Sequence, residues 1–390
     1  MNSAESLTDL LKRLRRWSLA VGVLGLIICG AGAVLSPDQF FRSYLLGYLF
    51  WTGIVLGSLA LIALHHLTGG GWGFAIQRIL ESATRTLPLM VLLFVPVLLG
   101  MKRLYLWARP EAVAGDAILQ HKVLYLNAPF FWARTVAYFA IWAVLIFLFN
   151  RWSRQQDRTA DPSFTRRLQV LGGPTLVIYV LTVTFAAVDW VMSLDPHWFS
   201  TIYGILFVVG QGLTTLAFAI VVIARLVQHA PLSEVVREKH FQDLGNLLLA
   251  FVMLWAYISF SQFLIIWSGN LPEEIPWYQH RLHGGWEWIA LLLVVFHFAL
   301  PFVLLLLRTV KRRAATLTRV ALAMIVMRFL DLFWIVAPTF HPEQLSLHWL
   351  DIAAPVGIGG IWIAVFAWQL HGRPLLPLHD ARLEEAFHHE

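Results

Sequence analysis

About ten apolar runs, each long enough to cross a lipid bilayer, decide what this chain can fold into. They fall at 17–35, 44–67, 86–107, 132–150, 169–192, 202–227, 243–267, 285–307, 316–338 and 349–371. A hydrocarbon core about 30 Å thick takes roughly 20 residues per helical crossing, at a rise of 1.5 Å per residue. No water reaches a backbone N–H or C=O there, so only helices and closed barrels span it. Runs this long and this evenly apolar are helices. The expected class is all-α, a polytopic membrane protein of about ten transmembrane helices. An even series of helices with short loops suits up-and-down bundles. We expect two antiparallel four-helix bundles at 44–192 and 193–338. A cytoplasmic arm and first helix (1–43) and a last helix with a cytoplasmic tail (339–390) flank them.

Charged residues make up 13% of the chain, against about a quarter in soluble domains. The net charge of +6 belongs to the loops between spans and does not mark a nucleic-acid surface. Cys29 is the one cysteine. That excludes a disulfide framework, an iron–sulfur cluster and covalently attached haem on this chain. Lys12, Arg13, Arg15 and Arg16 precede the first run, and Ala31-Gly32-Ala33 resembles a signal-peptidase site. We read the segment as a retained signal anchor. Twenty-one Lys and Arg flank one set of alternating loops and the two ends; seven flank the other set. The basic side faces the cytoplasm, which puts both termini inside a bacterial inner membrane.

Two stretches then face outward, Asp189–Trp198 (DWVMSLDPHW) and Tyr257–Tyr278 (YISFSQFLIIWSGNLPEEIPWY). Each ends a span in prolines, carboxylates and aromatics. As a partner-binding surface they offer Asp195, His197, Asn270, Glu273 and Glu274, joined by His341 from the last outward loop. Helix caps and interfacial anchors explain the same residue types.

Ionisable groups within spans cost several kcal/mol and are functional hypotheses by default. Arg328 falls near the midplane and Asp331 one turn further out, an i,i+3 spacing that lets them pair. His297 lies at similar depth, and its ordinary pKa near 6.5 suits a proton relay. Asp189, close to the end of the fifth span, completes the set of relay candidates. Gln211, Gln262 and Glu287 are candidates for contacts to a quinone or to the relay. His65, His66, Glu81 and Arg85, around the glycine-rich turn 68–71, are candidates for a proton entrance on the inner side. A brace between helices fits Arg328 and Asp331 equally well. Bis-histidine haem needs histidines at matched depth, and only His297 is at the midplane. No HExxH or CxxC spacing occurs, so no metal site is expected.

The strings HHLTGGGWGFAIQRILESATRTLP, DWVMSLDPHWFSTIYG and FQDLGNLLLAFVMLWAYISFSQFLIIWSGNLPEE resemble one family. It is that of the second ten-helix membrane subunits (ActF) of bacterial alternative complex III, a quinol:cytochrome c oxidoreductase, within the polysulfide-reductase membrane anchors. The resemblance covers roughly spans two to nine. It implies two four-helix bundles with flanking helices, and quinol oxidised at the periplasmic side. It implies as partners a sister ten-helix quinol-binding subunit, a periplasmic iron–sulfur protein, multihaem and monohaem cytochromes c, small membrane subunits and lipid. Haem c and iron–sulfur clusters would sit on those partners; the resemblance assigns no cofactor to this chain itself, for which quinone or quinol is the candidate. Two other readings are a secondary transporter, which usually shows broken helices at matching mid-span positions, and a purely structural anchor.

Overall fold

This computed structural model describes residues 6–159, 161–377 and 379–380; Arg382, counted above among the basic residues of the tail, lies outside them. Among the described residues, ten helices are long and apolar enough to cross a membrane: α1 Leu7–Leu35, α2 Pro37–Thr68, α3 Gly71–Leu99, α4 Ala128–Thr159, α5 Ser163–Leu194, α6 Tyr203–Leu226, α7 Glu238–Gly269, α8 Trp286–Leu306, α9 Ala314–Thr339 and α10 Leu350–His371. No strand occurs among the described residues. The expected class, an all-α polytopic membrane protein, is what the chain adopts.

Several helices run past their apolar runs. α1 starts at Leu7, so the basic segment Lys12–Arg16 is helical. α4 continues through Arg151–Asp157 to Thr159. Arg, Gln and Lys are good helix formers; hydropathy marks only the part that meets lipid, and the helix goes on beyond it. Turns are tight where the sequence supplies them. Gly69 and Gly70, with φ of 73° and 95°, carry the chain from α2 into α3 through a region that a Cβ disfavours. Asn270, at φ 50°, ends α7 in the left-handed conformation. α8 is irregular: Leu293–Ala299 is π-helical, and Pro301 follows.

α2 is the centre of the molecule, with 94% of its apolar window buried. α3 and α5 flank it, and α4 packs on α5. α7 and α9 flank α6 in the same way, while α8 packs on both of them. The two groups meet where α2 contacts α6. α10 packs along α2 and carries α1 on its outer side. The α1–α10 seam is glycine to glycine: a Cβ on Gly25 would lie 2.6 Å from the Gly357 Cα, and one on Gly22 2.4 Å from the Ile361 nitrogen. Such close backbone approach is how helices associate where lipid removes the hydrophobic drive.

Both ends of the described chain lie at one face, called here the termini face. At the opposite, far face the connections interlock. The Trp198 ring stacks on Trp277 at 5.0 Å, and its indole N–H donates to the Glu274 carbonyl at 3.1 Å. Gly284, at φ 65°, lies against the 343–345 backbone and accepts from the Leu345 N–H at 2.7 Å.

Candidate functional site

The ion pair expected from spacing forms: Arg328 donates to Asp331 within α9, and both side chains are buried. The sequence reading missed the third member. Trp255, from α7, donates its indole N–H to the same Asp331 oxygen at 3.1 Å, and its ring lies 4.2 Å from that of His297. His297 is fully buried in the π-helical part of α8, a distortion that frequently accompanies function. Among the described residues, no hydrogen-bond partner meets either of its ring nitrogens, although the Met327 backbone lies close. Three helices thus bring imidazole, indole, carboxylate and guanidinium together.

Gly210 on α6 makes the room for this. A Cβ there would sit 2.2 Å from the guanidinium carbon of Arg328. On that side Arg328 borders a cavity of about 20 Å³ shared with Thr52, Gln211 and Thr214, large enough for one water. The Gln211 carbonyl oxygen accepts from the Tyr179 hydroxyl at 2.8 Å, so α2, α5, α6 and α9 meet in one polar patch.

On its other side Asp331 borders a cleft of about 680 Å³ between α7, α8 and α9. Its walls are almost wholly apolar and aromatic: Phe260, Phe263, Trp277, Leu293, Phe298 and Trp334. Polar groups also reach it, among them Gln262, Tyr278, Trp255, Ser259 and Asp331. The Gln262 amide lies between the Tyr278 hydroxyl at 3.5 Å and the Ser200 hydroxyl at 3.4 Å. Tyr257 and Phe260, exposed on α7, place the mouth of the cleft on the outer, apolar flank of that helix. A large apolar pocket with a few convergent polar groups is the usual form of a small-molecule site.

Arg281 holds the far wall. Its guanidinium is buried over the Trp277 ring at 3.7 Å and donates to the carbonyls of Trp277 (2.8 Å), Trp334 (3.2 Å) and Ile335 (2.6 Å). These close the C-terminal end of α9, where the helix dipole favours a cation. Burial pushes the group down to about 10, so it stays charged at neutral pH.

The remaining candidates lie elsewhere. Asp189 is fully buried and clamped: Arg134 grips it twice, at 2.8 and 2.9 Å, and the Tyr138 hydroxyl donates at 2.7 Å. Glu287 accepts from the Gly285 N–H at 2.8 Å, a local bond at the start of α8. Glu81 is sealed at the termini face by Arg78 (2.8 Å), Arg373 (2.6 Å), Ser153 (2.6 Å) and Gln77 (3.0 Å). Arg85 donates to the Gln369 carbonyl at 2.6 Å. The His65 ring meets Phe74 edge-on at 4.7 Å, and His66 stacks on Phe149 at 5.7 Å. At the far face His197 lies 2.5 Å from Asp116, a contact that, with the Leu119 N–H, holds this exposed carboxyl below its usual range. Asp195 accepts from the Trp198 N–H through its carbonyl at 3.2 Å. Asn270 and Glu273 are exposed, and Glu274 is half-buried. His341 contacts Arg42 at 3.5 Å and Gln39 at 3.3 Å; burial and that arginine lower its pKa. No cluster of three or more His, Cys, Asp or Glu side chains is placed to hold a metal among the described residues.

No family model matches this chain, and no curated protein matches it in sequence.

Proposed function

We propose that this chain is an integral membrane subunit of a quinol:cytochrome c oxidoreductase of the alternative complex III type, and that the cleft between α7, α8 and α9 takes the quinol. The cleft carries the reading: its mouth lies on the exposed flank of α7, it is large enough for a substituted ring, and its apolar walls carry a few polar groups. A membrane-soluble quinol needs both features. Its isoprenoid tail stays in lipid while its two hydroxyls find acceptors. Gln262 and Tyr278 are placed to hold one hydroxyl, and Asp331 with Trp255 the other. Oxidation releases two protons and two electrons. The electrons leave to haem or iron–sulfur centres of partner subunits. The Asp331 carboxylate would take the proton of the second hydroxyl, with the His297 ring beside Trp255.

The test is photolabelling. A photoreactive quinone added to the purified complex should label peptides containing Trp255–Gln262 or Trp277–Tyr278. Excess natural quinol should abolish that labelling. Label confined to other subunits would remove the site from this chain.

A further inference from the structure

Gln262 has two faces. One lines the large cleft beside Tyr278. The other lines a second pocket of about 80 Å³, shared with Ser200, Thr201, Ile266 and Glu274. The Ser200 hydroxyl donates to the Gln262 carbonyl oxygen across this boundary, at 3.4 Å. The second pocket exceeds the volume that one water needs and offers the two to four polar partners that hold one. It sits at the rim of the far face, where Phe199 is half-exposed and Glu273, next to Glu274, is exposed. The Glu274 carbonyl accepts from the Trp198 indole, which fixes the backbone there, and Glu274 is the one charged residue of the pocket's lining.

Resting on the quinol reading above, we infer that Glu274 receives a proton from the oxidised quinol by way of this pocket and releases it at the far face. The hydroxyl O–H held at Gln262 and Tyr278 breaks, and its proton passes to water held by Ser200 and the Gln262 carbonyl oxygen. A proton from that water then forms an O–H bond on the Glu274 carboxylate and leaves to bulk solvent. The electron pair goes to the metal-centred carriers of the partner subunits. Gln262 acts as a positioning residue throughout: its amide bridges cleft and pocket and takes up no proton. The inference gives the two pockets separate tasks, one for the ring and one for its proton.

The test measures quinol oxidation by the purified complex, normalised to assembled complex. Glu274→Gln keeps the shape and removes the titratable group. It should lower kcat at least tenfold and leave the KM for quinol within about twofold. Glu274→Asp should recover at least a third of the rate. Glu111→Gln, which changes an exposed far-face carboxylate remote from both pockets, should behave like the parent. Parental kcat in Glu274→Gln would overturn the inference, as would equal losses in Glu274→Gln and Glu274→Asp that track missing partner subunits. The photolabel separates the two levels. Labelling of the cleft with parental Glu274→Gln turnover removes the proton route alone, whereas absence of label removes the quinol reading and the route with it.

Discussion

Breaking and then deleting the α9 ion pair separates catalysis from bracing. The side chains of Arg328 and Asp331 are 3% and 4% exposed, so neither charge has water to fall back on. Asp331→Asn keeps an oxygen for the Trp255 indole but strands the guanidinium. Losing one partner of a buried pair costs about 3–5 kcal/mol. Replacing both, as Arg328→Met with Asp331→Leu, removes the stranded charge, and such swaps are often neutral. Here one debt remains: the Trp255 N–H donates to Asp331, and a buried donor left unpaired costs about 1–3 kcal/mol. Adding Trp255→Phe should remove that too. The expected order of stability, read by thermal unfolding of the purified complex, is Asp331→Asn lowest, the double variant intermediate and the triple variant near the parent. If the pair handles protons, turnover per assembled complex should stay at least tenfold low in all three, about 1.4 kcal/mol of barrier. Full turnover in the stable triple variant would refute the proton role and leave the pair a brace. Equal stability in all three would refute the account of burial itself.

Gly210→Ala should act like a partial break of the pair. Its Cβ, 2.2 Å from the Arg328 guanidinium carbon, must push that group by about 1.2 Å to reach ordinary contact; Gly53→Ala, with its nearest neighbour at 3.4 Å, should melt like the parent. Acid should loosen the far-face contact between α2 and the α9–α10 connection. His341 binds its proton less readily folded than unfolded, so between its folded pKa and about 6.5 the unfolded state holds more protons and stability falls as pH drops. His341→Gln should flatten the loss of melting temperature between pH 7 and pH 5; an unchanged slope would exclude the residue. Single cysteines in 193–201, 270–284 and 340–348 should react with a membrane-impermeant reagent in intact cells, as the basic bias of the other loops requires. Reaction only after permeabilisation would invert the orientation.

The spans were legible because one physical quantity, hydrocarbon thickness, fixes both their length and their composition. The Arg328–Asp331 contact was legible because an i,i+3 pair needs only the helix itself. What stayed hidden depends on two helices meeting. Trp255 reads as one more apolar residue until α7 turns its N–H to Asp331. Asp189 finds Arg134, 55 positions away. Glu81 is gripped by Arg373 from beyond α10, 292 positions away. No local pattern carries such pairings. The cleft was hidden for another reason: its apolar lining has the composition of a surface facing lipid, and only the separation of α7, α8 and α9 tells the two apart.

The glycine seam between α1 and α10 sets a problem of timing. α1 is made well before α10, the helix it packs on most extensively. Synthesis of the stretch between Leu35 and Leu350 takes roughly 15 to 60 s at about 5–20 residues per second. Throughout that interval the face of α1 bearing Gly22 and Gly25 lies against lipid or the insertion machinery. A ribosome stalled before α10 would leave two faces uncovered, the glycine face of α1 and the side of α2 on which α10 packs, and those bare faces would distinguish the unfinished chain from the finished protein.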